Sequence, residues 1–225
     1  MIRVQSFSEA GGHPENEDAF AVRTHPNDSG LWLAFVADGQ GGRAGGGPAA
    51  RLACETAVKS ACDCRPKSLL EPATWKGILR TADLAVANDS TAGFTTLVGL
   101  CVSGTRIVGA SSGDSAALLV NRGGKRELTA YQAKNPPIGS GSATAVLFAA
   151  ETGEDWQLLL MTDGVWKYVG WNRIYDMVRR MRGPELSNEM QGAARLPATG
   201  LFQDDFTLVT LDGVEAAETD STAID

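Results

Sequence analysis

Long apolar runs are missing from this sequence. No stretch approaches the roughly 20 uninterrupted apolar residues that would cross a bilayer. The opening residues, from Met1 to Phe7, also lack the apolar core of a signal peptide. We therefore expect a cytoplasmic protein with no membrane partner.

Cysteine and basic residues are both scarce. The four cysteines, Cys54, Cys62, Cys64 and Cys101, do not show the paired spacing of a zinc site, and we interpret them as reduced structural thiols. Lysine and arginine together number 20 against 27 acidic residues, which gives a formal net charge of -7. Nucleic-acid binding is not expected, because it needs clustered basic side chains to neutralise phosphates. An acidic surplus instead suits a site that collects cations.

The remaining composition is that of an ordinary folded domain. Of the 225 residues, 43% are apolar and 21% are charged, which is typical of a globular protein. Splitting the chain in two would leave each half with a small core. We therefore predict one domain over residues 1–213, followed by an acidic tail without fixed structure over residues 214–225.

Apolar periodicity predicts blocks of strands interrupted by pairs of helices. The predicted strands cover residues 3–8, 19–22, 31–37, 94–102, 106–111, 116–121, 144–150, 157–162 and 206–211. The predicted helices cover residues 48–62, 72–88, 171–181 and 187–195. Because helices come in pairs and do not alternate singly with strands, the order favours an α+β layered domain over a parallel doubly wound sheet.

Acidic residues mark the ends of several predicted strands. They form five loci: Glu17-Asp18, Asp38-Gly39, Gly113-Asp114, Asp163-Gly164 and Asp204-Asp205. A carboxylate is thereby placed where a buried strand meets a turn, and an adjacent glycine allows backbone, metal or substrate to approach closely. We predict that the five loci converge on one edge of the sheets.

Converging carboxylates indicate a metal centre. Carboxylates close to an apolar core repel one another and raise each other's pKa unless cations neutralise them. Oxygen ligands without nearby histidine or cysteine suit magnesium or manganese and do not suit zinc. Two such ions about 4 Å apart can clamp a phosphate and activate a water for attack. No protein nucleophile is then required.

The same residues resemble those of the protein phosphatase 2C family, the metal-dependent serine/threonine protein phosphatases, in its bacterial type. The resemblance runs in order from Gly12 to Leu211. Its elements are Glu15-Asn16-Glu17-Asp18-Ala19-Phe20, Val36-Ala37-Asp38-Gly39-Gln40-Gly41-Gly42, Gly93-Phe94-Thr95-Thr96-Leu97, Ser112-Gly113-Asp114-Ser115, Thr162-Asp163-Gly164-Val165-Trp166 and Asp204-Asp205-Phe206-Thr207. The implied fold is two stacked antiparallel β-sheets flanked by pairs of α-helices, a four-layer αββα sandwich. The short interval between Asp114 and Asp163 implies a short flap over the site.

The resemblance also implies which residues hold metal. Asp38 would bridge two manganese or magnesium ions, and the carbonyl of Gly39 would complete one coordination shell. Asp163 and Asp204 would ligate the other ion. Asp114 would help Asp163 to hold a third, looser ion, so that two or three ions are expected.

Further roles follow for residues beside the metals. Asp18 and Glu17 match an acidic pair that orients metal-bound water, and Asp18 is the preferred catalytic candidate. Asp205 stands where the family usually has asparagine; it either tightens metal affinity or faces solvent. Arg43 is a candidate phosphate-binding residue, with a solvated loop position as the alternative.

Two positions depart from the family pattern in ways that bear on catalysis. His13 stands at the place of a phosphate-binding arginine, so it either contacts phosphate weakly and in a pH-dependent way or is a solvated loop residue. Gln40 stands where some members have a histidine that acts as general acid, and its amide cannot deliver a proton. A metal-bound water or His13 would have to protonate the leaving alcohol.

Three functions are compatible with this pattern. The favoured one is hydrolysis of phosphoserine and phosphothreonine in proteins, in opposition to a bacterial-type serine/threonine kinase. The second is a weakly active or inactive regulatory module that binds phosphopeptides. The third, suggested by the short flap, is a phosphomonoesterase for small molecules.

Overall fold

Blocks of strands and groups of helices follow one another in this computed structural model, which describes residues 1–12, 14–40 and 45–213. The strands are β1 (Ile2–Glu9), β2 (Asp18–His25), β3 (Asp28–Asp38), β4 (Leu97–Ser103), β5 (Arg106–Ser112), β6 (Ala116–Asn121), β7 (Gly124–Glu127), β8 (Val146–Glu151), β9 (Gln157–Met161) and β10 (Phe206–Gly213). The helices are α1 (Gly46–Asp63), α2 (Pro72–Ala87), α3 (Asp163–Val169), α4 (Trp171–Val178) and α5 (Gly183–Ala194), with a short 3-10 helix at Pro66–Leu70. The tail over residues 214–225 lies outside the described residues.

The strands of the described chain form two five-stranded antiparallel sheets. One sheet has the order β1-β10-β9-β6-β7 and the other the order β2-β3-β4-β5-β8. Within the second sheet, Asp18 lies directly opposite Asp38, because β2 and β3 pair in antiparallel register. In the first sheet, the start of β10 lies beside the end of β9, with Leu208 opposite Met161. The acidic loci at these strand ends are thereby brought to corresponding ends of the two sheets.

Three apolar clusters separate four layers. In the first, α1 and α2 cover the outer face of the second sheet around Trp75 and Phe35. In the next, the two sheets pack face to face through residues such as Val36 and Leu160. In the last, α3, α4 and α5 cover the outer face of the first sheet around Phe206. The predicted α+β sandwich, with two stacked antiparallel sheets between helices, is confirmed.

Small residues allow α1 to lie close to the sheet beneath it. Its buried face consists of glycine, alanine and one cysteine: Gly46, Gly47, Ala49, Ala50, Ala53, Cys54, Ala57 and Ala61. Pro48 lies in the first turn, where its missing N–H would have no helical partner. Gly39 touches the start of this helix so closely that an added Cβ would overlap the backbone of Gly46. Helix α1 therefore fixes the backbone that follows Asp38.

Two elements, α3 and β7, are absent from the sequence prediction, and α5 begins at Gly183, ahead of the predicted start at residue 187. Asp163 is the first residue of α3 and does not end a strand. Val165 and Val169 lie about one helical turn apart, and both pack into the apolar cluster beneath the helix. The hairpin strand β7 consists of Gly124, Lys125, Arg126 and Glu127. It has no apolar residue to show a period of two, and it forms by pairing with β6. Within the described residues, none of the helices combines the length and apolar character that a membrane crossing needs.

Candidate metal-binding site

A cavity of about 680 Å³ lies at the end of the two sheets. Its acidic lining residues are Asp38, Asp114, Asp163, Asp204 and Asp205. Gly39 and Gln40 also line it. Four of the five predicted acidic loci thus contribute to one cavity, while the remaining pair, Glu17 and Asp18, lies behind it.

Asp38 is held at the end of β3 by its own backbone. Its N–H donates to Thr96 Oγ1 at 2.9 Å, and its carbonyl accepts from the Thr96 N–H at 2.9 Å and the Thr95 hydroxyl at 2.8 Å. Burial raises the pKa of the Asp38 carboxyl well above its usual range, and the negative charge of Asp18 raises it further. Among the described residues, the Asp38 carboxylate has no cationic partner.

Asp18 is a buried carboxyl behind Asp38. Its side chain does not line the cavity, and the residue is only 7% exposed. The Thr162 hydroxyl donates to Asp18 Oδ2 at 2.8 Å. Burial raises the pKa of Asp18 to about 7, although hydrogen bonds from Thr207 and Thr162 oppose the change. The catalytic role predicted for Asp18 would therefore act through Asp38 or an ordered water.

Asp205 ties the N-terminal segment to the start of β10. Its carboxylate accepts the Gly11 N–H at 2.8 Å and the Glu17 N–H at 2.6 Å. The carbonyl of Glu17 in turn accepts the Gly39 N–H at 3.2 Å. Asp205 is 6% exposed, so the suggestion that it faces solvent is wrong. An acidic side chain at this position can accept hydrogen bonds from both backbone N–H groups. These contacts join distant parts of the chain and cannot be predicted from neighbouring residues.

Asp163 and Asp204 meet where α3 begins and β10 is about to start. Gly164 lies between them so tightly that an added Cβ would overlap the carbonyl oxygen of Asp205 and lie 3.4 Å from Cβ of Asp204. Because the obstacle is backbone, it cannot rotate away as a side chain would. The glycine after Asp163 is thus required by packing.

Replacing this glycine should unfold the protein more readily. Gly164→Ala is expected to lower the free energy of unfolding by about 3 kcal/mol, the upper end of the usual cost of overpacking. Urea denaturation measures the change. The matched control is Gly77→Ala on α2, where an added Cβ meets no atom within 4 Å. There, alanine should raise stability by up to about 1 kcal/mol, and equal stability of both variants would contradict the packing argument.

Two lysines lie against the acidic lining, and neither was predicted. Lys134 Nζ lies 2.7 Å from Asp114 Oδ2, and Lys167 Nζ contacts Asp163 Oδ2. Burial raises the pKa of Asp163, and the hydrogen bond from Lys167 opposes the change. Lys167 follows Asp163 by four residues, a spacing that would have indicated the contact had α3 been predicted. Lys134 carries no such local signal, because it reaches Asp114 from a loop.

That loop, residues 128–145, lies within the interval between Asp114 and Asp163 for which a short flap is predicted, and we call it the flap. Lys134, Asn135 and Pro137 bring it to the cavity. The C-terminal part of the flap is fixed by Asp83, a buried carboxylate on α2. Asp83 accepts three backbone N–H groups, from Gly139 at 2.8 Å, Gly141 at 3.0 Å and Ala143 at 3.0 Å. The C-terminal part of the flap is therefore attached to α2.

Of the three remaining predicted site residues, the structure describes Gln40 but not His13 or Arg43. Gln40 lines the cavity, and its backbone N–H donates to the Phe94 carbonyl at 2.9 Å. His13 and Arg43, the predicted phosphate-binding residues, lie outside the described residues. Their roles stay predictions.

The lining fits a hard divalent cation by its donor chemistry. Among residues 1–12, 14–40 and 45–213, no three acidic, histidine or cysteine side chains are grouped closely enough to form a ready-made metal-binding set. The described lining nevertheless carries five acidic and two basic side chains. The carboxylate of Asp38 is partly buried and lies among four other negative charges, those of Asp18, Asp114, Asp163 and Asp204. Oxygen donors with uncompensated negative charge are what magnesium and manganese prefer.

The comparisons with known proteins agree with this fold. A family model described as Protein phosphatase 2C matches residues 9–196. The serine/threonine phosphatase Stp1 from Staphylococcus aureus is 20% identical, with a TM-score of 0.74 and 96% of each chain covered. The serine/threonine phosphatase PstP/Ppp of Mycobacterium tuberculosis is 21% identical, with a TM-score of 0.76, over 95% of this chain and 99% of that chain.

A further solved structure contains metal. It is the catalytic domain of PstP in complex with two manganese ions, 22% identical with a TM-score of 0.75, over 95% of this chain and 99% of that chain. At these identities the solved structures establish the fold alone. A comparison with curated protein sequences found no match.

Proposed function

The chain belongs to the protein phosphatase 2C family, and from this premise we propose that it hydrolyses phosphoserine and phosphothreonine in proteins with metal-activated water. The observation that carries the proposal is the position of Asp38. Its carboxylate is partly buried, lies among other negative charges and lines the same cavity as Asp114, Asp163 and Asp204. Such an arrangement is unfavourable at neutral pH unless cations enter it.

The proposed metal ligands follow from that arrangement. Asp38, the Gly39 carbonyl, Asp163 and Asp204 would hold two manganese or magnesium ions, the number present in the PstP complex. When bound, such ions lower the pKa of a water and neutralise charge on the phosphate. Asp114, which contacts Lys134 Nζ at 2.7 Å, is not assigned to either of these two ions.

The protein's other groups would position water and substrate. Asp18 accepts the Thr162 hydroxyl and lies opposite Asp38, so it orients Asp38 and the water beside it. Glu17 supports the same strand end through its backbone hydrogen bonds. His13 and Arg43 would contact the phosphate. Because Gln40 in the cavity cannot release a proton, His13 is the proposed side-chain acid for the leaving alcohol.

Phosphorylated proteins are the proposed substrates, and a bacterial-type serine/threonine kinase is the proposed source of the modification. Support comes from the similar phosphatases of S. aureus and M. tuberculosis. The cytoplasm, where such a kinase would act, is the proposed location. The cavity is bordered by an anchored flap and is open to the protein surface, as a phosphorylated side chain on a large substrate requires.

Phosphate release from defined substrates tests the proposal. The full chain, stripped with EDTA, should release phosphate from a phosphothreonine peptide and a phosphoserine peptide after addition of Mn²⁺ or Mg²⁺, and should release none without metal. A phosphotyrosine peptide and free phosphoserine serve as controls. Peptide binding without turnover would favour a regulatory phosphopeptide-binding module. Faster release from free phosphoserine would favour a small-molecule phosphomonoesterase, and either result would contradict the proposal.

A further inference from the structure

Two ammonium groups already neutralise part of the acidic cavity. Lys134 Nζ is 2.7 Å from Asp114 Oδ2, and Lys167 Nζ contacts Asp163 Oδ2. The two carboxylate side chains are largely buried, with 18% and 13% of their surface exposed. Each lysine therefore takes up one oxygen of a carboxylate that has little contact with water.

The chain holds both lysines beside their partners. Gly113 N–H donates to the Ala133 carbonyl at 2.9 Å, which joins the residue before Asp114 to the residue before Lys134. Lys167 lies one turn after Asp163 on α3, where a side chain four residues later projects over the earlier one. The indole N–H of Trp166, the residue before Lys167, donates to the Asp114 carbonyl at 3.1 Å. The flap, the Asp114 turn and α3 are thus joined by backbone and side-chain hydrogen bonds.

The number of free carboxylate oxygens then limits how many ions can bind. A carboxylate offers two oxygens. With Lys167 on Oδ2, Asp163 keeps Oδ1 for one ion. A second ion shared with Asp114 would have to compete for Oδ1 of Asp163 or displace Lys167, and at Asp114 it would find only Oδ1 free of an ammonium group. A divalent cation between them would also lie close to two positive charges, which is unfavourable.

We propose that Lys134 and Lys167 supply the positive charge at Asp114 and Asp163, so that this protein binds two divalent ions and excludes a third. The inference rests on the proposed function, because it concerns the metal content of the same site. Asp38 and Asp204 have no lysine partner among the described residues, and they remain available, with Oδ1 of Asp163, for two ions. The two lysines act as positioning residues that replace a metal ion.

Counting bound ions tests this inference without an activity measurement. Metal-free full-length protein is titrated with Mn²⁺, and free Mn²⁺ is measured by electron paramagnetic resonance. The wild type is expected to bind two ions. The double variant Lys134→Met/Lys167→Met, which keeps the apolar stems, is expected to bind a third ion with at least tenfold weaker affinity than the first two.

A charge-matched control separates local from general electrostatics. Lys59→Met/Lys76→Met removes two exposed lysines on α1 and α2, away from the cavity lining. It should bind two ions, like the wild type. Thermal unfolding shows whether each variant is folded. If the double cavity variant is not folded, Lys134→Met alone replaces it, because Lys134 lies on the flap and its side chain is 61% exposed.

The outcomes distinguish this inference from the proposed function. Three ions in the wild type, or two in both the wild type and the cavity variant, would overturn the role given to the lysines while leaving the phosphatase proposal intact. No bound Mn²⁺ in any of the proteins would overturn both. Two ions in the wild type and the surface control, with three in the cavity variant, would support it.

Discussion

Asp38→Asn is expected to reduce the rate of phosphate release from a phosphothreonine peptide by about 10³-fold or more. Asp38 is the proposed ligand shared by both ions, and such ions contribute several kcal/mol to the transition state, with a factor of ten in rate for each 1.36 kcal/mol. Steady-state kinetics at saturating Mn²⁺ measure the loss. Asp176→Asn, which changes an exposed carboxylate on α4, should retain wild-type kcat.

The same substitution should make the metal-free protein more stable. Burial raises the pKa of Asp38 above its usual range and that of Asp18 to about 7. At a pH well below the ordinary aspartate pKa of about 3.9, these groups are protonated in both the folded and unfolded states. Above that pH the unfolded chain ionises these groups more readily, so folding stability decreases until the pH has passed their raised folded pKa values. Replacing Asp38 removes one of the coupled charges.

Thermal unfolding in EDTA between pH 4 and pH 8 checks the stability effect. The Tm of the wild type should fall as the pH rises through this range, and the Tm of Asp38→Asn should fall less. Excess Mn²⁺ should restore the wild type at neutral pH, because binding to the folded state alone stabilises it. A variant that turns over substrate normally, or that gains no stability without metal, would contradict the role assigned to Asp38.

Asp205→Ala is expected to lower the free energy of unfolding by about 3 kcal/mol or more. The substitution leaves the Gly11 and Glu17 N–H groups without their acceptor, and each hydrogen bond to a charged group contributes about 1.5 to 3 kcal/mol. Asp205→Asn keeps one carbonyl oxygen for one of the two donors, so it should cost roughly half as much. Urea denaturation of the three proteins, with Mn²⁺ absent, measures the series.

The loss of this anchor should also affect catalysis. The carbonyl of Glu17 accepts the Gly39 N–H, and Glu17 precedes Asp18. If Glu17 lost its hydrogen bond to Asp205, the backbone beside the proposed metal ligands would shift. We expect Asp205→Ala to lower kcat at a temperature where the variant remains folded. Unfolding free energies that do not differ among wild type, Asp205→Asn and Asp205→Ala would show that the two hydrogen bonds do not anchor the segment.

Local sequence patterns were sufficient to predict the acidic loci and most of the strands and helices. Asp38, Asp114, Asp163 and Asp204 each stand beside a glycine or a second aspartate at the edge of an apolar run, and all four line the cavity. The signal was weaker for α3, whose seven residues are too few to show a helical period. It was absent for β7, which has no apolar residue. The metal-binding and catalytic roles of these residues remain predictions.

The position of each carboxylate relative to the cavity needed the fold. Asp18 and Asp205 look alike in sequence, since each is the second acid of a pair that precedes a strand. Cross-strand pairing places Asp18 beside Asp38, where it is only 7% exposed and does not line the cavity. Asp205 lines the cavity while it binds two backbone N–H groups from a segment almost two hundred residues earlier. Neither environment follows from neighbouring residues.

The sequence by itself determined the order of most strands and helices, all but β7 and α3, together with the donor chemistry of the site and the membership of a family. These depend on apolar periodicity and on residue types at short spacings. Only the tertiary structure decided which carboxylates are buried, which backbone donors they satisfy and where Lys134 and Lys167 place their charge. These properties depend on burial and on contacts between distant segments, and they arise when the two sheets stack and bring their ends together.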